Sequence, residues 1–184
     1  MERHGLFVII ALGETLIVAG AGLTEEGWSA NLIAVAVFAV AITCALWWTY
    51  FTKAQPALER TLTTLQGNEQ AAVARESFTL LHFPMMVGVI LHAYAIEEVV
   101  AHPAEPLSLA LRLALAAGAV LFVGGMGAAL WRGTDRLPWS RFLLTLVTAS
   151  AVLGVTDVTP LVTLVVVFVG VATVALVEQR TLSP

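Results

Sequence analysis

The chain has 184 residues, of which 59% are apolar and 12% charged, and its mean hydropathy is +0.89. Soluble domains carry about 25% charged residues, so the composition excludes a soluble globular fold. A net charge of −4 and the lack of any basic cluster exclude a phosphate-binding footprint, so no nucleic acid is expected as partner. The single cysteine, Cys44, lies in an apolar run and supports neither a disulfide framework nor a metal quartet.

A hydrocarbon core about 30 Å thick needs roughly 20 apolar residues in a helix. Six runs of about that size follow one another: 6–23, 30–51, 78–100, 107–130, 140–155 and 161–177. The fifth is the shortest and is read as short, tilted or re-entrant. The expectation is an all-α polytopic membrane protein of six transmembrane helices, one domain over 1–184, in contact with the lipid bilayer of the cell membrane. Between the second and third spans, the loop 52–77 places Leu58, Leu62 and Leu65 at i, i+4 and i+7, the pattern of a helix lying on the interface and broken near Gly67 and Asn68. A solvated linker is the other reading. The first span resembles a signal peptide, but Glu14 in its middle and the five spans behind it argue for a retained helix.

Loop charges set the orientation. Arg3, Lys53, Arg60, Arg75, Arg132, Arg136, Arg141 and Arg180 fall on one side, and Arg112 alone on the other, where Glu25, Glu26, Glu97, Glu98, Glu105 and Asp157 gather. The positive-inside rule then puts both termini in the cytoplasm, which requires an even number of spans. Trp28, Trp47, Trp48, Trp131 and Trp139 sit near span ends, as interface anchors do.

Ionisable groups inside lipid cost at least about 2.5–3.5 kcal/mol on insertion scales, and they normally face a partner, a cavity or a pathway. Glu14 is the sharpest case, with Gly13, Gly20 and Gly22 around it allowing close helix approach. It is read as a group that handles an ion or solute, or as a protonated carboxyl bonded to a neighbouring helix. His4 lies about 80° from Glu14 around the helix and about 15 Å along it, so the two can border one groove with Arg3 at its mouth. The third span carries His82, Pro84, His92 and Glu97. His82 and Glu97 lie about 60° apart at opposite ends, with His92 between them in depth, the layout of a proton or cation relay; hydrogen-bonded packing is the plainer alternative. Pro84 either kinks this helix or lies in its first turn. The spacings of His92, Glu97 and His102 do not suit a compact metal site. Asp157 or Thr159 is expected to cap the sixth helix before Pro160. No hydrolase, zinc-protease, Walker or dinucleotide motif occurs, so neither an enzyme nor a cofactor is expected.

The stretch Glu2-Arg3-His4-Gly5-Leu6-Phe7-Val8-Ile9-Ile10-Ala11-Leu12-Gly13-Glu14 resembles the signature of the bacterial low temperature requirement protein A family. Leu46-Trp47-Trp48-Thr49-Tyr50-Phe51, His82-Phe83-Pro84 with Gly88, the stretch 97–103 and Glu178 extend the resemblance along most of the chain. Thr52 stands where the family usually has Asp. Family members are about twice this length, so the chain resembles their C-terminal half. The resemblance implies a multi-pass membrane protein linked to growth in the cold and specifies no reaction. It also implies a partner for the missing half, either a second parallel copy or a chain carrying the N-terminal helices. The expected function is binding or movement of a small ion or solute at Glu14, Arg3, His4, His82, His92 and Glu97; the alternative is a non-transporting structural or accessory protein of cold adaptation.

Overall fold

The computed structural model describes residues 2–25 and 28–181, leaving aside the side chains of residues 2, 3, 22–25, 53, 180 and 181. The described residues form helices and no strands: α1 (Glu2–Glu25), α2 (Ala30–Thr49), α3 (Gln55–Thr64), α4 (Gly67–Arg75), α5 (His82–Ala101), α6 (Leu109–Ala119), α7 (Gly125–Thr134), α8 (Trp139–Gly154) and α9 (Pro160–Thr181). Three π-helical turns, Tyr50–Ala54, Glu76–Leu80 and Val120–Gly124, join α2 to α3, α4 to α5 and α6 to α7. Five helical runs are long and apolar enough to cross a membrane, and α8, the fifth in order, is shorter. At 16 residues it is about 24 Å long, about 6 Å short of the hydrocarbon thickness. The protein is a polytopic helical membrane protein.

Local signals account for the helix starts. The Ser29 hydroxyl accepts from Leu32 N at 3.1 Å and opens α2, and Ser108 does the same for α6 through Leu111 N at 3.3 Å. The runs Ala30–Thr64 and Gly67–Ala101 have 35 residues each, about 52 Å of helix. That exceeds the hydrocarbon core by about 20 Å, so α3 and α4 extend past the span. They are helices, not a solvated linker. Leu58, Leu62 and Val73 are buried in the core, with Leu58 seated against Gly133 of α7, because α7 supplies the apolar surface that the leucine stripe requires. The break falls at Leu65 and Gln66, both extended, and Gly67 has φ +60°, a conformation that glycine adopts without a Cβ clash. Pro84 lies in the first turn of α5, where its missing N–H costs nothing.

The spans close into a ring in which α1 packs on α2, α2 on α9, α9 on α8, α8 on α6, α6 on α5 and α5 back on α1. Small residues set the closest approaches. Gly88 of α5 faces the backbone of α6 at Gly118, and Gly170 of α9 faces Thr148 of α8. At the acidic end, Arg112 Nη1 donates to Leu153 O at 2.7 Å and Val155 O at 3.3 Å, taking up carbonyls that the end of α8 leaves free. The one arginine on this side thus has a structural use. Asn31 Nδ2 donates to Pro103 O at 2.7 Å and ties the first turn of α2 to the loop between α5 and α6 at the same end. All five tryptophans are exposed, as anchors must be.

Candidate functional site

The basic end of the bundle brings together side chains that lie far apart in sequence. His4 enters from the first turns of α1. Gly5 beside it has the space of a missing side chain filled by neighbours: a Cβ there would meet Phe51 Cε1 at 3.3 Å and Gln55 Oε1 at 3.5 Å. Lack of a side chain therefore lets α1 lie against the π turn that follows α2. That turn carries Tyr50, buried at 2% exposure. The π turn before α5 carries Ser77, fully buried, and α5 opens on His82, also buried. Single π turns inside helices are frequent at functional sites, and two of the three among the described residues border this cluster.

Tyr50 Oη lies 2.8 Å from His82 Nε2, and His82 Nδ1 lies 3.1 Å from Ser77 O. A carbonyl only accepts, so Nδ1 carries the hydrogen; in the neutral ring Nε2 then accepts from the tyrosine hydroxyl. His4 packs edge-on to His82 with ring centroids 5.3 Å apart and lies against Phe78 at 5.7 Å. Among the described residues, His4 Nδ1, Ser77 Oγ and Gln55 Oε1 are buried without a hydrogen-bond partner, while Gln55 Nε2 donates to Glu59 at 2.9 Å. Buried polar atoms are normally paired, so three unpaired ones on one cluster mark a place able to receive a donor or an acceptor. Thr52 contributes nothing here, since its hydroxyl turns back to Trp48 O at 2.7 Å. Glu76 and Arg132 form an ion pair beside the cluster, between the π turn before α5 and α7.

Of the residues expected at the site, the structure joins His4 and His82. It does not join the others to them. Glu14 is exposed on the outer side of α1, whereas His4 is turned toward α5, so the two do not border one groove: the 80° between them carries one inward and the other outward. His92 is buried at mid-depth of α5, its Nε2 unpaired, beside a cavity of about 10 Å³ lined by Ile42, Leu46, Leu115 and Val167 among others. Glu97 is exposed near the acidic end of α5; the 60° that separates it from His82 is enough to leave the packed sector, so the two do not share a face. The Arg3 side chain lies outside the described residues.

Sequence reasoning missed Tyr50, Ser77 and Gln55 as site groups, although Tyr50 stands in one of the quoted motifs. It also placed Arg141 among the loop cations. Arg141 is buried at 1% exposure and Glu178 at 4%, and the guanidinium grips the carboxylate with both Nε and Nη2. The available signal was the pairing of a lone Arg at the start of one apolar run with a lone Glu at the end of the next.

Residues 1–176 match the family model described as bacterial low temperature requirement A protein. The chain is also 34% identical over 160 residues to an uncharacterized protein of Rhizobium meliloti (strain 1021), an alignment that takes in 81% of this chain and 36% of the relative. It thus spans about a third of the length of that curated relative. No solved structure matches. The family match extends over the three stretches that converge at the basic end, those of His4, Tyr50 and His82, and the chain belongs to the bacterial low temperature requirement A protein family.

Proposed function

We propose that the protein is a non-enzymatic component of the cell membrane, its basic end in the cytoplasm, that binds and moves a small ion or polar solute at the His4–Tyr50–His82 cluster. One observation carries this reading: a buried histidine, hydrogen-bonded on both ring nitrogens, stands against a second histidine whose buried Nδ1 has no partner among the described residues. Such a group can take up a proton or donate to an arriving ligand. A proton added to His82 Nε2 would reverse its bond to Tyr50, making the tyrosine oxygen the acceptor and releasing the hydroxyl hydrogen toward another group. Glu14, on the outer side of α1, is not part of this site.

The test is flux into proteoliposomes that hold a pH-sensitive dye, under imposed proton, sodium or potassium gradients. Tyr50→Phe keeps the ring and removes the hydroxyl, so it is expected to slow flux about five- to tenfold, the worth of one hydrogen bond. His82→Ala is expected to abolish flux. Unchanged flux in both variants, for every ion the wild type carries, refutes the site. The second reading is a structural or accessory membrane protein. It is favoured by the tight interior around His92, where 10 Å³ is room for about one water; wild-type protein that carries none of these ions would favour it.

A further inference from the structure

The middle of the bundle holds two polar groups that the chain leaves unserved. His92 is 4% exposed and Thr15 0%, and neither His92 Nε2 nor Thr15 Oγ1 has a hydrogen-bond partner among the described residues. His92 lies ten residues beyond His82 on α5, about 15 Å deeper, and Thr15 lies eleven beyond His4 on α1, about 16 Å deeper. His4 and His82 are in ring contact, so the two groups stand at one level, near the middle of the hydrocarbon. Thr15 is also about 20° from His4 around α1, and so shares the side that His4 turns toward α5. His92 lines the cavity of about 10 Å³, whose other walls come from α2, α6 and α9, with Ile42, Leu115 and Val167 among them and no other ionisable group. The spans close into a ring, so whatever passes through its inside from one end to the other passes this level.

We infer, resting on the transport reading above, that the ion moved is the proton and that His92 relays it across the middle of the bundle through one water in this cavity. Size and chemistry select the ion. A cavity of about 10 Å³ takes one water, so a polar solute does not fit. A metal cation exchanges its hydration shell for a ring of carbonyl or side-chain ligands. Among the described residues no group of three or more His, Cys, Asp or Glu could hold one, and here one ring nitrogen faces apolar side chains. A proton needs only that nitrogen, on which it becomes an N–H bond. Hydronium in the cavity gives its proton to Nε2 and is left as water. The imidazolium then gives up its Nδ1 hydrogen to another water, and one proton has crossed the ring. Thr15 offers a hydroxyl that both donates and accepts at the same depth.

Proteoliposomes with an internal pH-sensitive dye test this, the membrane potential being dissipated with potassium and valinomycin; uptake of radioactive sodium or rubidium is measured separately, without the ionophore. The wild type is expected to carry protons and neither metal ion. His92→Gln keeps a hydrogen-bonding side chain but takes up no proton at neutral pH, so it is expected to slow proton flux about a hundredfold, the low end of what a positioned proton carrier contributes. Val171→Ile alters no polar group; its added methyl, about the size of a water, fills the cavity from α9 and is expected to slow proton flux as well. An unchanged melting temperature in detergent, expected for both variants, separates a lost relay from a lost fold. Sodium or rubidium uptake above that of empty liposomes overturns this inference alone, as does wild-type proton flux in His92→Gln or in Val171→Ile. A wild type that carries neither protons nor metal ions overturns the ion-transport reading, and this inference with it.

Discussion

Replacing Arg141 with alanine is expected to destabilise the protein by about 3–5 kcal/mol, because it breaks a buried ion pair by removing the bidentate partner of the Glu178 carboxylate. Glu178 is 4% exposed, and the Arg141 guanidinium meets both of its oxygens. The bidentate fork is a geometry that lysine does not reproduce, so Arg141→Lys is expected to fall between the wild type and alanine. The decisive variant is the double replacement Arg141→Met with Glu178→Leu. It removes both charges and fills the space with apolar atoms, and pairs replaced in this way often cost nothing. Thermal unfolding in detergent should therefore show a large loss in each single variant and recovery of most of it in the double. A double variant as unstable as the singles would mean that packing of the arginine stem against Gly127, and not the charge pair, holds α8 in place.

That pair also marks how far the sequence could be read. Apolar length alone located the five long apolar helical runs and the shorter α8, since hydrocarbon thickness dictates it and no tertiary contact is involved. The leucine period of 58, 62 and 65 likewise predicted a helix in the loop. What covers its stripe is α7, whose Gly133 lies 75 residues beyond Leu58, and no local pattern indicates such a partner. Arg141 was legible as a charge at a span end; its burial depends on Glu178 arriving from a different helix, 37 residues later. His4 and His82 were each legible as polar groups at span ends. Their meeting depends on α1 packing against α5 and on π turns that have no hydropathy signature. For Glu14 the depth was legible from counting and the direction was not, because a helical wheel gives the angles between residues but not which sector the bundle covers.

The crossing of α5 and α6 should be the next most sensitive point. Gly88→Ala is expected to cost about 1–3 kcal/mol, the range for forcing extra volume into a packed interior. A Cβ on residue 88 would stand 2.8 Å from Gly118 O and 2.8 Å from Phe122 N, and both are backbone atoms. A side chain in that position could rotate away, but a backbone can yield only by moving its helix. Gly118→Ala meets Gly88 O at 3.0 Å and His92 N at 3.5 Å, so it should do the same to a smaller degree. Gly124→Ala is the control: its Cβ meets nothing within 4 Å, and alanine is the better helix former by about 1 kcal/mol, so stability should hold or rise. The strain at Gly88 has a second readout, because His92 lies one turn further along α5 and lines the mid-depth cavity with residues of α2, α6 and α9. Moving α5 outward opens that cavity to more water. Gly88→Ala is therefore expected to speed hydrogen exchange at the amides around His92 while leaving those of α8 near the wild type; equal exchange in both helices would show that α5 and α6 do not meet through Gly88.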